Sequence, residues 1–214
     1  MAFAVKRKEG CMSEFRRRLM MAQSGEEPID WDYEWYAPDE IPSWFSKGTN
    51  ATAEFGEDYY RIYNPSAPSN YVMKNIMNFS SSEFPVGSYI MDINMKEMVV
   101  RQANSVQGGL IFSTSKTGNT SSVSDQIWIG RLNSKISDTN YYKCCLATST
   151  TDTDKIITDA LRYTVRLNIG TEGTRISVGN VFLDTTRVGA PRGIYGRYSP
   201  SGYIDIYSIK IKAI

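Results

Sequence analysis

Apolar and polar residues alternate one by one along part of the chain, and this alternation limits the fold more than any other feature. Leu161, Tyr163, Val165, Leu167 and Ile169 are apolar, and polar residues stand between them throughout. Successive side chains of a β-strand point to opposite faces of a sheet, whereas a helix repeats its apolar positions every three or four residues. The stretch is therefore predicted to be a β-strand with one face turned to a core.

The same alternation recurs from about residue 41 to the C-terminus. It covers residues 71–79, 89–99 and 203–211, and Gly179-Asn180 between two apolar runs is typical of a two-residue hairpin. Stretches 113–126 and 148–155 are rich in Ser, Thr, Asn and Asp and are predicted to be surface loops. About ten or more strands are expected, with no long helix, which predicts an all-β protein. The expected architecture is a two-sheet antiparallel jelly-roll sandwich over residues 41–214.

Residues 1–40 are organised by charge rather than by hydrophobicity. Basic residues dominate positions 1–25, and acidic residues dominate positions 26–40. Apolar residues within 12–22 follow helical spacing, so a short amphipathic helix is predicted in this N-terminal extension. So short a helix needs a partner surface to be stable, and we predict that residues 1–40 form a docking arm. The residues expected to dock are Phe15, Arg16, Arg17, Arg18, Leu19, Trp31, Tyr33 and Trp35.

The expected partner of the arm is protein rather than nucleic acid. The net charge of the chain is only +1, and the acidic run directly follows the basic cluster. Sister subunits of a homo-oligomer or other proteins of a larger particle are therefore the predicted partners. The chain has no apolar run near the ~20 residues that span a bilayer, and its start lacks the apolar stretch of a signal peptide. No membrane contact is predicted.

The chain contains no histidine, which excludes Ser-His-Asp triads, Cys-His pairs and HExxH zinc sites. A retaining glycosidase would need two carboxylates about 5 Å apart. Asp205 lies in a predicted strand, but Tyr203 and Tyr207 occupy the positions that a second carboxylate would need. We therefore predict that the protein has no catalytic residues and is not an enzyme.

No disulfide, metal site or cofactor is predicted. Cys11 is isolated, and the adjacent Cys144 and Cys145 point to opposite faces of a strand, so they cannot bridge easily. Predicted loops contain oxygen ligands, among them Asp125 and Asp138, but their spacing does not form a calcium loop. Binding of Ca²⁺ therefore has no support in the sequence, and these residues are interpreted as solvated loop residues.

Several short motifs follow one another in a characteristic order between Trp44 and the C-terminus. They are Trp44 with Gly48 and 51–55, the strand 161–167, residues 174–181, Gly193-Ile194-Tyr195-Gly196, and the closing stretch 202–211. This order resembles that of concanavalin A-like and laminin-G-like jelly-roll domains over roughly residues 41–214. The resemblance implies a two-sheet sandwich but no single function, because the family includes lectins, glycosidases, protein-binding modules and virion appendage domains.

A second resemblance concerns the N-terminal extension. The Met-rich segment 12–21, with its three consecutive arginines, resembles short leaders on structural proteins of phages and prophages of gut Bacteroidales. It implies that the protein is a virion component made in the host cytoplasm.

Aromatic residues of the β region are candidates for carbohydrate binding, because an aromatic ring stacks on the apolar face of a sugar. Trp128 lies between Ile127 and Ile129 and is expected on the opposite face of its strand from both. That face is either a ligand-facing surface or a second layer of the core. The comparable candidates, with the same two interpretations, are Tyr142, Tyr195 and Tyr198.

Taken with the resemblances, the sequence predicts a non-enzymatic virion protein of a phage or prophage. Residues 1–40 would dock it, and the jelly roll would attach to carbohydrate or another host surface. Several weak sites acting together would supply the avidity. The alternative is a glycan-binding module of a bacterial cell surface or periplasm.

Overall fold

The alternating stretches of the sequence form strands in the structure, a computed structural model. It describes residues 29–49, 51–63, 74–98, 107–114, 126–132, 144–147, 156–157, 162–186, 188–197 and 203–214. The predicted short helix lies outside these ranges, as do most of the two predicted loops. None of the described residues forms a helix, so no helix there is long and apolar enough to cross a membrane.

Fifteen strands are present in the described part of the chain. They are β1 (Tyr33–Tyr36), β2 (Phe45–Lys47), β3 (Thr52–Phe55), β4 (Tyr60–Tyr63), β5 (Lys74–Phe79), β6 (Tyr89–Met98), β7 (Gln107–Ser113), β8 (Gln126–Leu132), β9 (Cys144–Ala147), β10 (Ile156–Ile157), β11 (Tyr163–Ile169), β12 (Thr174–Val178), β13 (Val181–Thr185), β14 (Gly193–Arg197) and β15 (Tyr203–Ala213).

The strands form two antiparallel sheets, which confirms the predicted all-β sandwich. The eight-stranded sheet has the order β13-β12-β11-β6-β15-β4-β3, with β1 also paired to β15. The seven-stranded sheet has the order β10-β9-β8-β7-β14-β5-β2. From β4 to β7 the chain moves to the other sheet at every strand, so sequence neighbours pack across the core instead of pairing. The inner faces of both sheets supply the buried apolar side chains.

The strand with the clearest alternation lies inside the eight-stranded sheet. In β11, Val165 is 0% exposed and stands opposite Ile93 of β6 and Val178 of β12. The predicted two-residue hairpin joins β12 to β13, since Val178 pairs with Val181 and Gly179 has a φ of 55°. Glycine tolerates this left-handed conformation without the steric cost that a side chain would add.

Strand β1 belongs to the sandwich, which corrects the prediction that Trp35 is a docking residue. Trp35 pairs with Ile209 of β15 and is 3% exposed. Its ring packs edge-on against Phe45 and Tyr60, with centroids 5.0 and 6.0 Å away, and its indole N–H donates to the Asp39 carbonyl at 3.1 Å. Burial of a ring this large makes Trp35 part of the core and unavailable to a partner.

Tyr33, which was also predicted to dock, packs against the core as well. Its ring packs edge-on against Phe84 and Trp44, with centroids 4.9 and 5.9 Å away. The β domain therefore begins at Trp31 and not at the predicted boundary of Ile41. Trp31 is half-buried, whereas Phe15, Leu19 and the three arginines between them lie outside the described residues.

Two acids of the run 26–40 pair with lysines of β15. Asp32 accepts a hydrogen bond from Lys212 at 3.0 Å and another from the Ala213 backbone N–H at 2.9 Å. Glu34 lies 3.6 Å from the Lys210 ammonium. These contacts hold β1 along β15, because register brings each acid opposite or next to its lysine.

Replacing Trp35 should destabilise the β domain strongly. We expect Trp35→Ala to lower the free energy of unfolding by about 3–5 kcal/mol, since it empties a core position. Tyr36→Ala is the matched control in the same strand, because Tyr36 is 41% exposed, and it should cost about 1 kcal/mol or less. Urea unfolding measures both. Similar losses for the two variants would contradict the placement of Trp35 in the core.

The Asp32 contacts should make the stability of the β domain depend on pH. The Ala213 N–H, followed by Lys212, lowers the pKa of Asp32 below its ordinary value. A carboxylate whose pKa is lowered by folding stabilises the native state above about pH 4, and this contribution disappears as the pH falls through the folded pKa. Wild type should therefore lose more unfolding free energy than Asp32→Asn on acidification from about pH 6 to about pH 3. Equal losses in the two proteins would show that the Asp32 contacts contribute no stability that depends on pH.

Candidate functional site

Two aromatic residues predicted to bind carbohydrate share one row of the seven-stranded sheet. Tyr195 of β14 pairs with Ile111 of β7, which pairs with Trp128 of β8. The row continues to Ala147 of β9 on one side and to Asn75 of β5 on the other. Backbone register therefore links five strands, from β5 through β14, β7 and β8 to β9.

Tyr195 lies on the face of the seven-stranded sheet that is turned away from the core, called here the seven-strand outer face. Ile194, the residue before Tyr195, packs in the apolar core with Met77 and Phe112, whereas Tyr195 is not part of that cluster. Tyr195 is nevertheless 0% exposed. A ring with no exposed surface cannot stack on a sugar, so the prediction for Tyr195 is corrected.

The row ends on β5 at Asn75, which forms a pair with Asn78 of the same strand. The Asn75 Nδ2 donates to the Asn78 Oδ1 at 3.0 Å, and the Asn78 Nδ2 donates back to the Asn75 Oδ1 at 2.9 Å. Asn75 is 1% exposed and also donates to the Met77 carbonyl at 3.3 Å, whereas Asn78 is half-buried. Reciprocal bonds of this kind fix both amide planes, because a buried amide left unpaired would be costly. The result is a rigid polar clasp on the seven-strand outer face.

The clasp depends on an irregularity in the strand pairing. Asn75 pairs with Tyr195 and Met77 pairs with Ile194, so Ile76 is an extra residue on β5. Strict alternation would place Asn75 on the same face as Met77, inside the core. The bulge turns Asn75 to the outer face instead, where it meets Asn78. No sequence signal marks this bulge, which explains why sequence reasoning missed both asparagines.

The end of β7 is held by a tight loop contact. Thr114 is 3% exposed, and its hydroxyl donates to the Val188 carbonyl at 3.0 Å while its own carbonyl accepts from the Ala190 N–H at 3.0 Å. Gly189 lies between them with a φ of 138°, and a Cβ there would overlap the Thr114 carbonyl. Glycine is required at this position because the backbone segments approach too closely for a side chain.

The remaining predicted ligand residues lie outside the described part of the chain. Tyr142 and Tyr198 fall in its gaps, and for Trp128 the structure places the backbone in β8. Within the described ranges, no group of three or more Cys, Asp or Glu residues could hold a metal ion. No calcium ligand set can therefore be named among these residues, and the loop acids Asp125 and Asp138 lie beyond them.

Asp205, the acid weighed for catalysis, has a structural partner. Its carboxylate is 2% exposed and accepts from the Arg61 Nε at 2.7 Å and from the Arg61 Nη2 at 2.9 Å. The hydrogen bonds from Arg61 to this carboxylate raise the pKa of the guanidinium above its ordinary value. Both oxygens of Asp205 thus neutralise a permanent cation, which is a structural role in the sheet.

Comparisons with known proteins extend these observations. No family model matches the sequence, and no curated protein matches it. Among solved structures, a mutant of the Emp46p carbohydrate recognition domain matches with a TM-score of 0.53 and 14% identity, over 86% of this chain and 98% of that one.

Two lectin structures match similarly. Peanut lectin with a 9mer peptide has a TM-score of 0.50 at 10% identity, covering 84% of this chain and 95% of its own. Lectin UEA-II complexed with galactose has a TM-score of 0.50 at 9% identity, covering 85% and 98%. The chain is thus similar in fold to legume-type lectins and other concanavalin A-like carbohydrate recognition domains.

Proposed function

We propose that this protein binds carbohydrate without catalytic activity, through the seven-strand outer face of its lectin-like jelly roll. The observation that carries the proposal is the row that joins Trp128 to Asn75, beside the Asn75–Asn78 clasp. Sugar recognition needs a flat apolar platform together with polar groups held in place. An aromatic residue in the same row as Asn75, which holds the amide of the half-buried Asn78 in place, meets both requirements.

Rigidity is the main argument for assigning the site to this face. The clasp is buried at Asn75, and Tyr195, which is in register with Asn75, has no exposed surface. A site that is already ordered loses little conformational entropy when a ligand binds. Trp128, Tyr142 and Tyr198 remain the proposed aromatic platforms.

We further propose that the protein acts on a phage or prophage virion, where several copies would add their weak sites together. The resemblance of segment 12–21 to phage leaders supports this setting, as does the charge-divided N-terminal extension. Phe15, Leu19 and the arginines 16–18 are the proposed docking residues, together with Trp31. A glycan-binding module of a bacterial surface or periplasm is the alternative, and the fold supports it equally.

Carbohydrate binding can be tested on a glycan array with a multimerised form of the protein. Trp128→Ala should weaken the signal about tenfold or more, which corresponds to about 1.4 kcal/mol of lost contact. Phe182→Ala is the control, because Phe182 is an aromatic residue that is 42% exposed on the other sheet. Its signal should match wild type. Absence of binding to every glycan, or equal losses in the two variants, would refute the proposed site.

Docking through the N-terminal extension can be tested by deleting residues 1–28. This cut keeps β1 and Trp35, which the β domain needs for its core. The deletion should leave the unfolding temperature nearly unchanged but convert an oligomeric or particle-bound protein into a free monomer. Sedimentation of both forms, alone and with virions, measures the change. An identical assembly state in the two forms would remove the docking role.

A further inference from the structure

Arginines on the outer face of the eight-stranded sheet are mostly neutralised by aspartates on the neighbouring strand. In three cases the Nε and Nη2 groups of the arginine bond both oxygens of one carboxylate, at distances from 2.6 to 2.9 Å. Such bidentate pairs use the directional fork of the guanidinium. The pairs are Arg61–Asp205, Arg166–Asp92 and Arg175–Asp184.

Arg162, immediately before β11, differs from these three. Its Nε donates to the neutral Asn94 Oδ1 at 2.6 Å, and Asn94 is held in turn by donation to the Thr164 hydroxyl at 2.9 Å. The closest carboxylate among the described residues is that of Asp58, 3.7 Å from the Arg162 Nη1, and both side chains are largely exposed, at 52% and 67%. Among the residues that the structure describes, the Nη1/Nη2 end of Arg162 thus has only a loose, solvated counter-ion.

Tyr207 holds this guanidinium flat. The Arg162 Cζ lies 3.6 Å from the centroid of the Tyr207 ring, within the range of a strong cation–π contact. Tyr207 takes this position because β15 has an extra residue there: Ile206 pairs with Met95 and Ser208 with Asn94. Desolvation, reinforced by Asp205, raises the pKa of the Tyr207 hydroxyl above its ordinary value.

We propose that Arg162, stacked on Tyr207 beside Asn94 and Thr164, binds the carboxylate of an acidic sugar such as a uronic acid. The planar fork of a guanidinium matches a carboxylate, and stacking has already removed most of its side-chain freedom. The amide of Asn94 and the hydroxyl of Thr164 lie next to the fork, where sugar hydroxyls would follow the carboxylate. This site is on the opposite sheet from the seven-strand outer face, so it stands apart from the function proposed above.

The chain offers a matched control in Arg175. Arg175 is 49% exposed and also lies over an aromatic ring, that of Phe182, at 4.3 Å. It differs from Arg162 in that Asp184 occupies its fork, with bonds of 2.6 and 2.8 Å. If exposure and stacking alone created the site, Arg175 would bind the same ligand.

The experiment is a calorimetric titration of the full-length protein with trigalacturonate, and with neutral galactotriose for comparison. Trigalacturonate should bind, and Arg162→Gln should weaken its binding about tenfold or more, as expected for a lost charge-assisted pair. Arg175→Gln should bind as wild type does. Equal losses in the two variants, or none in Arg162→Gln, would overturn the proposal.

A second variant tests the reason that Arg162 differs. Asn94→Asp places a carboxylate where the other three arginines have one, so it should weaken trigalacturonate binding about tenfold without lowering the unfolding temperature. Asp58→Asn removes the loose counter-ion and should tighten binding. Unchanged binding by Asn94→Asp would contradict the mechanism, and equal affinity for a triglutamate peptide would overturn the assignment to an acidic sugar.

Glycan binding that depends on Trp128 should be unaffected by Arg162→Gln, which separates this proposal from the earlier one.

Discussion

The pairing of β15 is the interaction on which the rest of the structure depends. One edge of this strand pairs with β6 along nearly its whole length, and the other edge is shared by β4 and β1. Its inward residues, Ile204, Ile206, Ile209 and Ile211, are at most 1% exposed. A strand that is paired on both edges and buried on one face cannot shift its register without exposing this apolar row. The N-terminal part of the β domain is therefore held in place by its last strand.

The two sheets use their outer faces differently. On the described part of the seven-stranded sheet, two neutral amides bond each other in the Asn75–Asn78 clasp. On the eight-stranded sheet, charges are cancelled pairwise by bidentate contacts across neighbouring strands. The bulge in β5 produces the first arrangement. Cross-strand register produces the second, because it decides which charged side chains stand opposite each other. The two proposed sites, one for a neutral sugar and one for an anion, thus lie on opposite sheets of the sandwich.

Prediction from sequence succeeded where one physical rule applied without interruption. The strict alternation in β11 and the Gly179-Asn180 hairpin were both recovered, because each depends only on local geometry. The aromatic and acidic segment at 31–36 was misassigned for a related reason. It also alternates, but alternation does not reveal whether the apolar face of a strand meets a partner protein or the core of its own domain. Trp35 and Tyr33 meet the core, whereas Asp32 and Glu34 meet lysines distant in sequence.

The amino-acid sequence by itself determined the fold class, most of the strands and the absence of histidine chemistry, since these follow from composition and from a period of two. Only the tertiary structure decided which residues share a face near the bulges. One extra residue at Ile76 moved Asn75 out of the core, and one at Tyr207 placed a ring beneath Arg162. A bulge is stabilised by the register and packing of the strands around it, which lie far away in sequence. The candidate sites depend on these bulges, so they could be recognised only in the folded chain.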